Sequence, residues 1–507
     1  MDAERHRLIR EALAALGVDK LVLSIHDVSF PSTADEDIGR GSPYSAGAAA
    51  FLDFAAELGF DGIQLGPQGQ TSLGNLSPYD GSVFSKSIAS LPLATFARAE
   101  NAALLPASAL EQAVSTTPPG HARAHHEHAF AAAAGALARA STRLRERAER
   151  GDAAARALAD RVAAFGARAT WVHHDARFEA FARLHGTDDF RTWPDVDRAP
   201  SEARVREVLS TMRDAADAWV LGQALLEEEH AALRARVKPL GLRLYGDLQV
   251  GLSLRDRWAR ASLFLPGYAI GAPPSRTNPE GQPWGYPVLD PRQYLPRFVP
   301  AGTETPVLAF VRARVMKIFD EFDGLRIDHP HGLVCPWVYD ATAPDPLAAV
   351  VAGARLFETP VSDAHPALAE LAIARVEQLD DRVAPYDDAR VRDLDDAQID
   401  EYSRLVDLVM ESATSRGRSV DDVLCEVLST CPRPLACVMR RYELGRFRVT
   451  QKASMTDPRD GYRGENAQRR DWTMIGNHDT DPLRRVIERW TQNGTLPARA
   501  AYLASRL

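Results

Sequence analysis

Cysteine is scarce and poorly placed for cross-links or metal. The four in 507 residues, Cys335, Cys425, Cys431 and Cys437, are far apart or separated by five residues, and no CxxC pair is available as half of a zinc ligand set. Reduced thiols in a cytoplasmic protein are the expectation. Long apolar runs are also missing. The longest, 129–138, falls well short of the roughly 20 residues that cross a bilayer, and the N-terminal MDAERHRLIREALAALG is charged and helix-like, without the apolar core or cleavage site of a signal peptide. No membrane partner is expected. Runs of Lys and Arg are absent too. With a net charge of −9 and a pI near 5.9, the chain has no basic stripe to track phosphates, so no nucleic-acid partner is expected.

What is present is enough apolar material, 45% of residues, for a large core in one barrel with insertions or in two to three ordinary domains. A first helix closing near Gly17 leads into a buried-strand pattern at 21–30. A helix at 46–58 is ended by Gly59, and a second strand follows at 62–66, which makes a right-handed crossover unit. Further strands read at 242–250, 324–328, 422–428, 446–451 and 472–477, giving seven. Residues 111–168 read as two Ala- and Arg-rich helices with breaks at Gly151 and Gly166. Their start gathers His121, His125, His126 and His128, but no acidic or Cys partner follows at ligand spacing, so a solvated helix start is expected and no metal. Helices are also expected at 215–237 and through most of 340–418, where the run DDARVRDLDDAQIDE reads as a solvated face.

The chain is organised around EFDGLRIDHPHG, residues 321–332. Side chains alternate along a strand, so Arg326 and Asp328 share one face while Leu325 and Ile327 take the other. A carboxylate kept charged beside a guanidinium in a half-dry site can act as a nucleophile; the same spacing also fits a structural Arg/Asp pair. Glu426 is the one charge in the apolar segment VLCEVL at 423–428, where desolvation favours the protonated form that a general acid needs. On β alternation, Asp247 lies on one strand face with Tyr245 and Gln249.

RIDH resembles the nucleophile strand of the 4-alpha-glucanotransferases, the amylomaltases or disproportionating enzymes of the alpha-amylase clan, and other motifs of that family occur in order. LGPQG at 65–69 is followed by SPYD at 77–80, GDLQ at 246–249 stands for GDLP, and 271–287 meets the pattern GAPP…GQ.WG.P as a stiff Pro- and Gly-rich loop. EVLSTCP at 426–432 stands for EDLGTVP, and NHDT at 477–480 for HDT or HDN. The resemblance implies a (β/α)8 TIM-type barrel over 1–507 with helical insertions at 85–215 and 340–418. The eighth strand is then missing at the C-terminus, where the sequence reads as two helices. It also implies a retaining transferase of α-1,4-glucan segments between maltooligosaccharides, without metal or organic cofactor. Asp328 would be the nucleophile, Glu426 the acid/base and Asp479 the third catalytic carboxylate. Tyr79, Asp247, Trp284, Tyr286, Arg326 and His478 would bind substrate. Two alternatives stay open: a hydrolase of the same clan, since the same three carboxylates serve either acceptor, and a glucan-binding protein without activity, which the departures at Gln249, Val427 and Ser429 motivate.

Overall fold

Seven short parallel strands give the chain its α/β character, and each lies inside a segment whose apolar pattern marks it as a strand. The computed structural model describes every residue except 1, 2, 16, 18, 19, 121, 122, 276, 277, 361, 362, 506 and 507. The chain divides into two units, Met1–Ser262 with Asp320–Gly324, and Leu263–Phe319 with Leu325–Leu507.

In the first unit, β1 (Val22–Ile25), β2 (Gly62–Leu65) and β3 (Arg243–Leu248) pair parallel in that order, with Ser24 opposite Gln64 and Gln64 opposite Tyr245. The crossover helix Ala46–Glu57 begins because the Ser45 hydroxyl accepts from the Ala48 N–H. It stops at Gly59, whose φ of +85° belongs to the left-handed region glycine enters without steric cost. Helices pack as an apolar cluster around Phe96, Leu137, Leu158 and Trp219. The stretch expected to hold two helices holds His126–Glu149 and Ala153–Arg168, preceded by Ser108–Ser115. Gly151 does separate two of them, because Asp152 caps the next by accepting from Ala154 and Ala155. Gly166 breaks nothing and is buried within the helix Ala153–Arg168. His121 of the histidine group lies outside the described residues. His125 bonds the Gly120 carbonyl and His128 that of Ala113, and among the described residues no group of three His, Cys, Asp or Glu could hold a metal ion. Nor is any described helix long and apolar enough to cross a membrane.

The second unit holds a sheet that the sequence does not announce. β4 (Phe264–Ala272) and β5 (Gln282–Leu289) form an antiparallel pair where a long loop is expected. With β6 (Gly324–Ile327) apart from it, this sheet is completed by β7 (Trp337–Asp340) and β8 (Ala354–Arg355) in the order β5-β4-β7-β8. Prolines and glycines in β4 and β5 masked the strand pattern, and the register shifts between Phe264 and Ala269 and between Ile270 and Ala272 are where such residues are tolerated. The parallel strands of this unit are β6 paired with β9 (Val423–Cys425), and β10 (Phe447–Val449) paired with β11 (Trp472–Met474), while Arg446 bridges in parallel to Cys425.

The segment 340–418 is less helical than its composition suggests. It contains the helices Pro346–Val351 and Asp396–Ser415, with β8 and turns between them. Its acidic run is used in detail: Asp395 and Gln398 form a reciprocal capping box, and the Asp388 carboxylate accepts from the Cys431 N–H at 2.7 Å.

β10 and β11 come together only because Gly445 precedes the first of them. A Cβ there would lie 1.5 Å from the Arg470 carbonyl oxygen and 2.3 Å from its carbon, and backbone cannot step aside as a side chain can. Gly445→Ala is therefore expected to destabilise the fold by about 3 kcal/mol or more, read as a lowered midpoint in chemical or thermal unfolding. A midpoint equal to wild type would show that the close approach is not required.

Candidate active site

Strand register brings the two central carboxylates level. β6 and β9 pair with Arg326 opposite Leu424 and Ile327 opposite Cys425, and the Glu426 N–H donates to the Ile327 carbonyl at 3.0 Å. One step further along both strands, Asp328 and Glu426 leave neighbouring chain ends about 5 Å apart. Arg326 is shared between them: its Nη2 donates to Asp328 Oδ1 at 3.1 Å and also to Glu426 Oε2. The side chains are almost wholly enclosed, Arg326 3% and both carboxylates 8% exposed. Two buried carboxylates hydrogen-bonded to one nitrogen have their nearest oxygens within two hydrogen-bond lengths, about 6 Å at most.

The chain of contacts continues to the end of β11. Asn477 Nδ2 lies 3.5 Å from Glu426 Oε1 and 3.5 Å from Asp479 Oδ2, the Asp479 N–H donates to Asn477 Oδ1 at 3.2 Å, and His478 Nε2 is 3.3 Å from Asp479 Oδ1. The turn itself is fixed by Thr480, whose hydroxyl accepts from the Asn477 N–H and donates to the Asn477 carbonyl, both at 2.8 Å. Asp479 is the open member of the group, its side chain 54% exposed.

Glu426 is not the lone carboxyl of an apolar strand that the sequence suggests. β9 ends at Cys425, and the Val427 N–H folds back to the Cys425 carbonyl at 2.9 Å. Burial does oppose its charge, but the Arg326 guanidinium outweighs burial by Coulomb attraction and hydrogen bonding and holds the carboxyl down at about 2. The expected protonated acid is thus an ionised carboxylate in this state. The reason is tertiary, since Arg326 stands 100 residues earlier in the chain.

Beyond the carboxylates lies an aromatic group. Trp284, half-buried on β5, donates from Nε1 to Gln282 at 3.0 Å and sets its ring 4.8 Å from His329 and 6.0 Å from Tyr286. Tyr286 pairs with Ile270 inside the sheet and is 9% exposed. Arg276 and Thr277, from the connection expected to be a stiff loop, lie outside the described residues. His329 follows Asp328 with φ +42°, a left-handed conformation that costs on the order of 1 kcal/mol for a non-glycine residue. Its ring stacks on His331 at 4.4 Å, and His331 Nε2 is 3.4 Å from the Thr430 hydroxyl. Asn477, His329 and His331 carried no role in the sequence reading. For His329 and His331 the available signal was their adjacency to Asp328, and for Asn477 an amide at a strand end.

Tyr79 and Asp247 belong to the first unit. Tyr79 sits in the turn Pro78–Asp80 with its ring 6.0 Å from that of His26. Asp247, on β3, accepts from Gln64 Nε2 at 3.2 Å, and Gln64 accepts from the Ser24 hydroxyl at 2.7 Å, a polar line across three strands. Gln249 is explained by the same unit. It is buried, and its amide donates to the carbonyls of Gly81 at 2.6 Å, Gly251 at 3.3 Å and Tyr79 at 3.4 Å, so it ties down the loop that carries Tyr79.

A family profile described as 4-alpha-glucanotransferase matches residues 25–505. Curated 4-alpha-glucanotransferases align over shorter stretches. That of Thermus thermophilus is 28% identical over 191 residues, 36% of this chain and 36% of the relative. The chloroplastic/amyloplastic protein of Solanum tuberosum is 26% identical over 176 residues, 33% of this chain and 29% of the relative. The chain thus spans about a third of the length of these curated relatives in the matched stretches. Among solved structures, the amylomaltase from Streptococcus agalactiae in complex with acarbose superposes with a TM-score of 0.72 at 16% identity, over 96% of this chain and 85% of that one. The amylomaltase from Corynebacterium glutamicum gives 0.63 at 15% identity, over 99% and 61%. At these identities the structural likeness speaks for the fold.

Proposed function

The chain belongs to the 4-alpha-glucanotransferase family, and from that premise we propose that it transfers α-1,4-glucan segments between maltooligosaccharides by a retaining double displacement. The observation that carries the reading is the pair Asp328 and Glu426 on one guanidinium nitrogen. Retaining glycosidases hold their carboxyl groups about 5 to 5.5 Å apart, because the nucleophile must reach the anomeric carbon with no water between, and the shared Arg326 contact is compatible with that distance. The fold that goes with the reading is a (β/α)8-type barrel, supported by the seven parallel strands and the likeness to amylomaltase structures.

In the first step an Asp328 oxygen attacks the anomeric carbon, the glycosidic C–O bond breaks, and the departing oxygen takes the proton of Glu426. In the second, an acceptor hydroxyl attacks the same carbon, gives its proton to Glu426 and releases Asp328. Arg326 gives this cycle its electrostatic logic. With Glu426 protonated, Asp328 is the one anion facing the guanidinium; in the glycosyl-ester intermediate Asp328 is neutral and Glu426 is the one anion. The cation is balanced at both stages. In the state described here the Arg326 guanidinium outweighs burial and Glu426 stands ionised, so it must gain its proton as the substrate enters. Asp479, steadied by Asn477 and His478, holds sugar hydroxyls as charge builds at the anomeric carbon. Trp284 offers a ring face for a glucose to stack on, and Tyr79, Asp247 and Tyr286 are assigned to substrate binding on the family likeness. The compartment in this reading is the cytoplasm, with four free thiols in support, and no metal or organic cofactor takes part.

Product analysis from maltotriose tests the reading. Glucose together with maltooligosaccharides longer than the substrate is the expected outcome. Glucose and maltose alone would mean a hydrolase, and an unchanged substrate would mean a binding protein.

A further inference from the structure

The residue that stands out without an assigned role is His329, because its backbone departs from the strand it ends. Regular alternation would send the side chain after Asp328 to the opposite face. With φ at +42° the chain turns left-handed there, and the imidazole comes round to the side occupied by Glu426 and Trp284. It meets the Trp284 ring edge-on at 4.8 Å and 87°, and it is backed by His331 at 4.4 Å and 25°. His331 is in turn anchored to Thr430, four residues beyond Glu426. His329 itself remains partly exposed, whereas His331 is buried. A strained residue with its ring edge-on to the half-buried Trp284 indole and within reach of the Glu426 charge is positioned for a ligand.

Resting on the transferase reading above, the geometry points to His329 as the residue that selects a sugar acceptor over water: its imidazole, framed by Trp284, binds a hydroxyl of the glucose unit on the Glu426 side of the scissile bond. That side follows from the chemistry, since Glu426 protonates the leaving oxygen and later receives the acceptor's proton, so the sugar that departs and the sugar that arrives both occupy the space next to it. The ring's protonation state suits the task. Desolvation, only partly offset by the Glu426 charge, lowers its pKa to about 4, so near neutrality it is uncharged and presents one donor and one acceptor. That combination matches a hydroxyl and does not compete with Arg326 for the carboxylates. An acceptor sugar held by this contact and by stacking also covers the ester intermediate against water.

His329→Asn and His329→Gly both tolerate the left-handed backbone, so either is expected to fold, and two variants guard against one that does not. The assay uses a maltooligosaccharyl fluoride as donor, which brings no sugar into the leaving-group position, and glucose or maltose as acceptor. The expected result is an acceptor KM raised about tenfold, a donor KM within about threefold of wild type, and about tenfold more hydrolysis per transfer event. Donor and acceptor KM rising together, or an unchanged partition between transfer and hydrolysis, would overturn the assignment while leaving the transferase reading in place. A wild-type protein that releases glucose from maltotriose without forming longer oligomers would instead overturn the transferase reading, and this assignment with it.

Discussion

Asp328→Asn is expected to abolish transfer while leaving the protein folded. The amide fills the volume of the carboxylate and can still accept a hydrogen bond from Arg326 Nη2, so the buried contact at 3.1 Å survives in form. What it cannot do is form the glycosyl ester, because a neutral amide oxygen is too weak a nucleophile to displace the leaving sugar. Losses of about four powers of ten or more follow in kcat/KM, each power about 1.4 kcal/mol of barrier. Steady-state kinetics on maltotriose with a parallel thermal melt separates the outcomes. Wild-type turnover in a folded variant would remove Asp328 from the mechanism, and loss of folding would assign it a structural place in the Arg326 group.

Arg326→Met should produce the largest change in stability, with a pH dependence opposite in sign to wild type. In the wild-type site the guanidinium holds the buried Glu426 at about 2, below an ordinary carboxylate near 4.3. A depressed folded-state pKa contributes stability that is present above the unfolded value and is lost as pH falls from about 4.3 towards 2. Remove the cation and two carboxylates face one another in a site where each is 8% exposed. Desolvation and mutual repulsion then raise their pKa values above the unfolded one. The variant is therefore weakest near neutral pH, where both must be charged, and regains stability as pH falls through the raised values towards about 4.3. The loss at pH 7.5 should be about 3 to 5 kcal/mol, shrinking at pH 5. Melting temperatures of both proteins at the two values decide it. A variant equally destabilised at both would show that Arg326 contributes through packing, and one unaffected at either would show that the contacts to Asp328 and Glu426 carry little energy.

The site was partly legible before its geometry was known, and the limits are physical. RID at 326–328 could be read because alternation is a local property: two residues apart on a strand means one face. The seven parallel strands were legible for the same reason, being short apolar runs bounded by turn residues, although all but β2 and β6 end two or more residues short of their patterns. The hairpin of β4 and β5 was not, because strands rich in Pro and Gly carry no clean period and are held by their partner's backbone. The dense acidic run at 387–401 looked like a solvated helix face. Whether an Asp caps a helix, as Asp395 does, or receives the Cys431 N–H, as Asp388 does, depends on where a distant backbone passes.

Residue chemistry and local period by themselves determined the seven parallel strands, the helix end at Gly59, the face shared by Arg326 and Asp328, and the motif series that identified the family. Tertiary structure alone decided the charge of Glu426. The sequence surrounds that carboxyl with apolar neighbours and so argues for a raised pKa, while the β6–β9 register brings Arg326 against it and reverses the sign. It also decided the orientation of His329, since a single left-handed φ overrides the alternation from which its face would be read. Both outcomes depend on interactions between residues far apart in the chain or on a backbone angle, and neither quantity is encoded in the identity of a residue and its immediate neighbours.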